Sequence, residues 1–226
     1  MKSRRSRKAD LRGADAVVLR ILALQSGEPH RVRRALDDVD HMPSALIPHL
    51  IPLLATTPMA ADAMRALRGV AASRSGMLVD ALLDRRFPAI VRRRVARVMS
   101  GCRTRSAVEG LLQACDDDDR SVRRQCARAL FLVHRHHPDI ALDADRVFSV
   151  IDRDSESGAP DAGLLFTLLA LVYPPAAIRV AYRSLRGSNR HARGFAVEYL
   201  NGVLPEQIRE RLAPIVAGMG GDVTSR

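Results

Sequence analysis

Apolar residues recur along this chain at offsets 0, 4, 7, 8 and 11, the spacing that lines one face of an α-helix. The clearest copy follows the acidic run Asp116, Asp117, Asp118 and Asp119: Val122, Cys126, Ala129, Leu130 and Val133. Further copies run from Met59 (Ala63, Ala66, Leu67, Val70), Val91 (Val95, Val98, Met99, Cys102), Ala162 (Phe166, Leu169, Ala170, Tyr173) and Ala192 (Ala196, Tyr199, Leu200, Val203). An incomplete first copy from Val32 keeps Leu36 and Val39, then fails at Asp40 and Pro43. Successive starts lie 27, 32, 31, 40 and 30 residues apart, a period near 30 with one long insertion. That period predicts a helical repeat.

Each striped helix has a predicted partner just upstream, patterned 0, 3, 4, 7. Examples are Ile47, Leu50, Ile51 and Leu54; Val108, Leu111, Leu112 and Cys115; Ala144, Val147, Phe148 and Ile151; and Ile178, Ala181, Tyr182 and Leu185. Shorter versions stand at Val18, Ile21, Leu22 and at Leu78, Ala81, Leu82. A lone helix pair cannot bury both faces, so the pairs are expected to stack on their neighbours. Gly, Pro, Asp, Ser and Asn punctuate the joins, where they end one helix and cap the next. Asp152 to Pro160, DRDSESGAP, reads as a polar loop and as the candidate for mobility or a partner contact. Pro205 opens a last helix, with Ile208, Leu212, Ile215 and Val216 on one face, expected to cap the open end of the stack. The predicted organisation is a disordered basic tail over residues 1–9, one helical domain over 10–217 and a flexible tail over 218–226.

Composition sharpens this to an all-α chain. The core is aliphatic, since aromatics are 4% of the 226 residues and Trp is absent. Formal net charge is +11, and of 36 basic residues all but Lys2 and Lys8 are arginine. The excess is compatible with a polyanion partner, or with solvated, carboxylate-paired faces and codon bias. Cys102, Cys115 and Cys126 fall at apolar helix positions, and an odd count without a secretory signal predicts reduced thiols in a cytoplasmic protein. The most apolar window, residues 162–173, is too short to span a bilayer.

Candidate chemistry is sparse. Four consecutive carboxylates at 116–119 cannot converge on one cation as a calcium loop does, and they suit the N-terminus of the following helix. His134, His136 and His137 end a helix without ligand-like spacing, so no metal is expected. No Gly-rich phosphate loop and no nucleophile elbow occurs. The expectation is a non-enzyme without a cofactor.

An acidic turn followed by Val122-Arg123, Ala127 and Leu130 resembles a HEAT repeat of the PBS-lyase HEAT-like, armadillo-type kind. Val91-Arg92 with Ala96 repeats the motif and Val32-Arg33 with Leu36 echoes it, whereas Met59-Ala60 and Ala162-Gly163 lack the arginine. The resemblance implies a right-handed α-solenoid (α-α superhelix) of about six antiparallel helix pairs with a C-terminal capping helix. It also implies that Arg33, Arg92 and Arg123 pair with turn acids such as Asp116 to Asp119 as a structural ladder. Arg93, Arg94, Arg124 and Arg128 are additional, and are the candidates for a partner-binding ridge. The function implied is that of a monomeric, non-catalytic scaffold that binds an unidentified protein, with an acidic surface, on a concave face. The alternative is a nucleic-acid-binding relative of the HEAT-like DNA glycosylases, which contact phosphates. A bilin lyase of the PBS-lyase group is a third reading that no residue selects.

Overall fold

The computed structural model describes residues 15–37, 42–156 and 158–219. The expected basic tail at 1–9, the last residues from 220 onward, and Val39 and Asp40 of the first stripe lie outside the described residues. The described chain is all-helical, without a strand, and consecutive helices pack on one another. No helix among the described residues is long and apolar enough to cross a membrane. The chain divides into two compact units, residues 1–114 and 115–226.

The first unit holds α1 (15–25), α2 (Pro29–Ala35), α3 (Ile47–Leu53), α4 (Thr57–Val70), α5 (Ser75–Leu83), α6 (Ala89–Met99) and α7 (Arg105–Gln113). Its helices begin where the sequence supplies a start. Pro29 and Pro58 stand in the first turns of α2 and α4, and the Thr104 hydroxyl accepts from the Ala107 N–H at 3.2 Å to cap α7. The α4 helix packs against α2, α3 and α6, while α5 packs on α6 and α7. The stripe of α6, Val91, Val95, Val98 and Met99, is buried, as is Cys102 beyond it. Each such aliphatic side chain contributes about 1.5–3 kcal/mol. The α1 face is rotated from the expected one: Leu24 is buried, whereas Val18 and Leu22 are more than half exposed. Polar ties hold α1 down on this buried side, through Arg20 Nε donating to the Ala35 carbonyl at 2.9 Å.

Gly110 marks the closest approach in this unit. A Cβ there would lie 2.5 and 2.7 Å from the two methyls of Val79 and 3.1 Å from its Cβ, so α5 and α7 cross at a point where only hydrogen fits. Gly110→Ala is expected to cost about 1–3 kcal/mol in urea titration through overpacking. Val79→Ala in the same chain should return much of that loss, a coupling of at least about 1 kcal/mol.

The second unit holds α8 (Arg120–His136), α9 (Ala144–Glu156), α10 (Ala162–Val172), α11 (Pro175–Arg186), α12 (Arg190–Val203) and α13 (Glu206–Gly218). The α8 stripe is the best buried of all, with Val122, Cys126, Ala129, Leu130 and Val133 at 0–1% exposure. An orderly stack of pairs would lay α11 on α9 and α12 on α10. The expected contacts of α8 with α10, α9 with α10 and α11 with α12 are present, but α10 packs on α11 and α9 on α13 in place of those two layers. The stripe of α12 is accordingly covered only in part: Ala196 and Leu200 are buried, but Val203 is exposed.

Two sequence expectations change here. The last helix turns back onto α9, where Arg211 meets Glu156 at 2.6 Å and Gln207 donates to Asp152 at 3.3 Å. Its buried Ile208 and Leu212 draw it to that side. The polar stretch from Asp152 is not a loop in its first half, because α9 runs on to Glu156. Asp154 is buried in that extension and accepts the Asp161 N–H at 2.8 Å, and Arg153 pairs with Asp116. A run that looks solvated in the sequence is held by partners distant in the chain.

Candidate functional site

The second unit presents a groove framed by α8, α10 and α11. Its residues lie at helical spacing on each element: Arg124, Arg128, Phe131 and Leu132 on α8; Gly163, Phe166, Thr167 and Ala170 on α10; Pro175, Ile178, Arg179 and Tyr182 on α11. The α10 sequence AGLLFTLLALV is apolar around most of its circumference because three helices cover it. Its remaining strip forms the groove floor. Phe131 and Leu132 sit off the buried stripe of α8, and Leu132 is 39% exposed.

The polarity of the groove is graded. One end is walled by Phe131, Leu132, Ala170, Pro175 and Ile178, with Arg128 and Arg179 on its rim. The other end is walled by Arg124, Leu164 and Arg186, and the two ends share Arg128, Gly163, Thr167 and Tyr182. Tyr182, expected on a packing stripe, lines this groove half-buried, with the Phe166 ring 4.9 Å away and the Arg186 guanidinium 5.7 Å from its own ring centre. Its hydroxyl stands over Gly163, where a Cβ would come within 3.5 Å.

Beneath the cationic end lies a buried carboxylate. Asp161 precedes α10 and caps it, its Oδ1 accepting the Gly163 and Leu164 N–H groups at 3.0 and 3.2 Å. Its Oδ2 accepts from Arg120 Nε at 2.9 Å and from Arg124 Nε, and Arg124 Nη2 reaches Oδ1 at 2.9 Å. Burial by itself would raise the Asp161 pKa. Hydrogen bonds from Arg124 and Arg120 and the Leu164 N–H outweigh it and hold the carboxyl at about 2. Asp161 pushes the Arg124 guanidinium up in turn.

The residues singled out in the sequence fall into two groups. Arg33 reaches Asp62 of α4 at 3.0 Å, and Arg92 donates to the Phe87 carbonyl at 3.1 Å. Arg123 donates to the Asp117 and Asp118 carbonyls at 3.0 and 3.1 Å and faces Asp154 at 3.3 Å. Asp119 caps α8 through the Ser121 and Val122 N–H groups, Asp117 accepts the Asp119 N–H at 2.8 Å, and Asp116 meets Arg153. Of the four ridge arginines, Arg93 and Arg94 belong to the first unit, and Arg94 donates to the Leu54 carbonyl there. Arg124 and Arg128 belong to the second unit and share the groove. The sequence reading missed Arg120, Asp161, Arg179 and Arg186. Of these, Asp161 carried a signal: an Asp directly before an apolar helical run.

The thiols are sequestered. Burial pushes the Cys102 pKa up to about 11 and raises that of Cys115 further, with Asp116 adding to the effect. Among the described residues no group of three or more His, Cys, Asp or Glu side chains is arranged to hold a metal ion.

No family model matches the chain, and no curated protein matches it. Among solved structures, the crystal structure of an engineered protein aligns over 88% of this chain and 94% of its own, at 16% identity and a TM-score of 0.37. That TM-score is too low for the likeness to bear on fold or function.

Proposed function

We propose that this chain is a protein-binding module of HEAT-like, right-handed solenoid type that holds a segment of a partner protein in the α8–α10–α11 groove. One observation carries the reading: apolar side chains from three helices line a single groove whose mouth reaches solvent at Leu132. Apolar walls with a few polar groups are the common make-up of recognition sites. The HEAT-like motif at Val122-Arg123 and the pairing of consecutive helices support the same class.

A photo-crosslinking amino acid at Leu132 tests the reading, with a control at the exposed Glu210 of α13. The expected result is a discrete protein adduct at position 132 in nuclease-treated native lysate, absent at 210 and abolished by Ala170→Trp, which fills the groove floor. No adduct at 132 overturns the reading. A nucleic-acid reading keeps one observation in its favour: α8, α10 and α11 contain no Asp or Glu. An adduct at 132 that disappears with nuclease would select it.

A further inference from the structure

The groove is cationic along its length although its polarity is graded. The α8 sequence RSVRRQCARALFLVHRH carries five arginines and α11, PAAIRVAYRSLR, carries three, and neither helix has an acid to offset them. The buried Asp161 neutralises only the base of this cluster, where it engages Arg120 and Arg124. Among the described residues, no carboxylate pairs with Arg128, Arg179 or Arg186. Two guanidiniums, Arg128 and Arg179, therefore rim the apolar end and a third, Arg186, walls the other end, without a carboxylate partner among the described residues, although the unit has carboxylates enough to pair with Arg123, Arg153 and Arg211 elsewhere.

We infer that the occupant of this groove is an acidic amphipathic peptide segment of a partner protein. This rests on the reading under Proposed function and supplies its chemistry. The segment's apolar side chains enter between Leu132, Phe166 and Ile178, and its carboxylates meet Arg128 and Arg179 on the rim and Arg186 beyond Tyr182. An apolar residue gains from leaving water on that floor. A carboxylate at the rim forms the bidentate guanidinium pair that those arginines lack inside the chain. A nucleic acid fits less well. It seeks a continuous cationic track, whereas the arginines here are interrupted by an apolar end walled by Phe131, Leu132, Ala170, Pro175 and Ile178. Partner residues are thus of two kinds, apolar anchors for the floor and acids beside them for the rim arginines.

Fluorescence anisotropy with the full chain tests the inference. The probes are short dye-labelled peptides: one with leucine and phenylalanine anchors followed by glutamates, one with the glutamates replaced by glutamine, one with the anchors replaced by alanine, and one with lysines for the glutamates. A single-stranded oligonucleotide is the fifth probe. The glutamate peptide is expected to bind, and the glutamine and alanine versions to bind at least about ten-fold more weakly. Arg128→Glu with Arg179→Glu should weaken the glutamate peptide by at least about ten-fold and bring the lysine peptide into the binding range. Both residues are exposed and have no ion pair among the described residues, so the variant is expected to melt as the parent does. Equal binding of the glutamine peptide, an unaffected double variant, or an oligonucleotide that binds more tightly than the glutamate peptide would overturn the inference. If the Leu132 adduct forms and the glutamate peptide does not bind, the module reading stands and its acidic partner falls. If neither is seen, both fall.

Discussion

Leu130→Asp is expected to unfold the second unit, whereas Leu132→Asp, two residues further on, should leave its melting curve within about 1 kcal/mol of the parent. Leu130 is fully buried at the centre of the α8 stripe, between Cys126 and Val133, and α10 packs on α8. An aspartate there forfeits the leucine's burial and brings in a carboxylate without a partner, a combined loss of about 5 kcal/mol or more. Domains of this size are stable by about 5–15 kcal/mol, so the loss is at least about a third of that reserve and the whole of it at the lower end. Leu132 already reaches solvent on the groove wall, so its carboxylate can stay hydrated. Circular dichroism melts of the two variants, with hydrogen exchange to assign the loss to residues 115–226, provide the check. A normal melt for Leu130→Asp would mean that the α8 stripe faces elsewhere.

The second large effect belongs to Asp161. Its carboxyl is held at about 2 against an ordinary value of 3.8, so folding favours the ionised form. The stabilisation is complete above the unfolded pKa and is lost as pH falls from about 4 through about 2, and amounts to about 2 kcal/mol. Asp161→Asn keeps an acceptor for the Gly163 and Leu164 N–H groups but removes the charge that Arg120 and Arg124 share. It should destabilise the second unit by about 2 kcal/mol at neutral pH and converge with the parent near pH 2. Asp161→Ala loses the cap as well and should cost about 1 kcal/mol more. Urea titrations from neutral pH to pH 2 on all three proteins separate the two contributions. A constant gap between parent and Asp161→Asn across that range would show that the ion pairs do not stabilise the fold.

Helix positions were legible in the sequence because the apolar stripe is a local property. The striped helices at 59, 91, 122, 162 and 192 all appear, within α4, α6, α8, α10 and α12. What the stripe cannot encode is which neighbour covers it. The stripe of Ala192 predicts burial of Val203, which is exposed because α12 leans on α11 and has little of α10 to pack against. Gly110 drew no notice for the same reason, since its meaning arises only where α7 crosses Val79. The groove was half visible. Arg124 and Arg128 stood out as surplus arginines, but Phe131, Leu132, Arg179 and Tyr182 acquire a common purpose only when α8, α10 and α11 converge. Residues 152–156 misled because an acidic and hydroxylated run has the composition of a loop, while its helix is secured by Arg123 far back in the chain and by the backbone of the next helix's N-cap residue, Asp161.

The leucines of α10 repeat every four residues, Leu164 with Leu168 and Leu165 with Leu169, and all four are buried. A slide of α10 along α8 by one turn, about 5.4 Å, would exchange leucine for leucine at those positions. Those four leucines by themselves set no axial zero. Asp161, gripped by two arginines spaced one turn apart, supplies it, like a dowel in a sliding joint. If that dowel is withdrawn, the seating of α10 against α8 loosens before the helices themselves melt. Asp161→Asn should therefore disturb the groove under conditions where its helical signal is still intact.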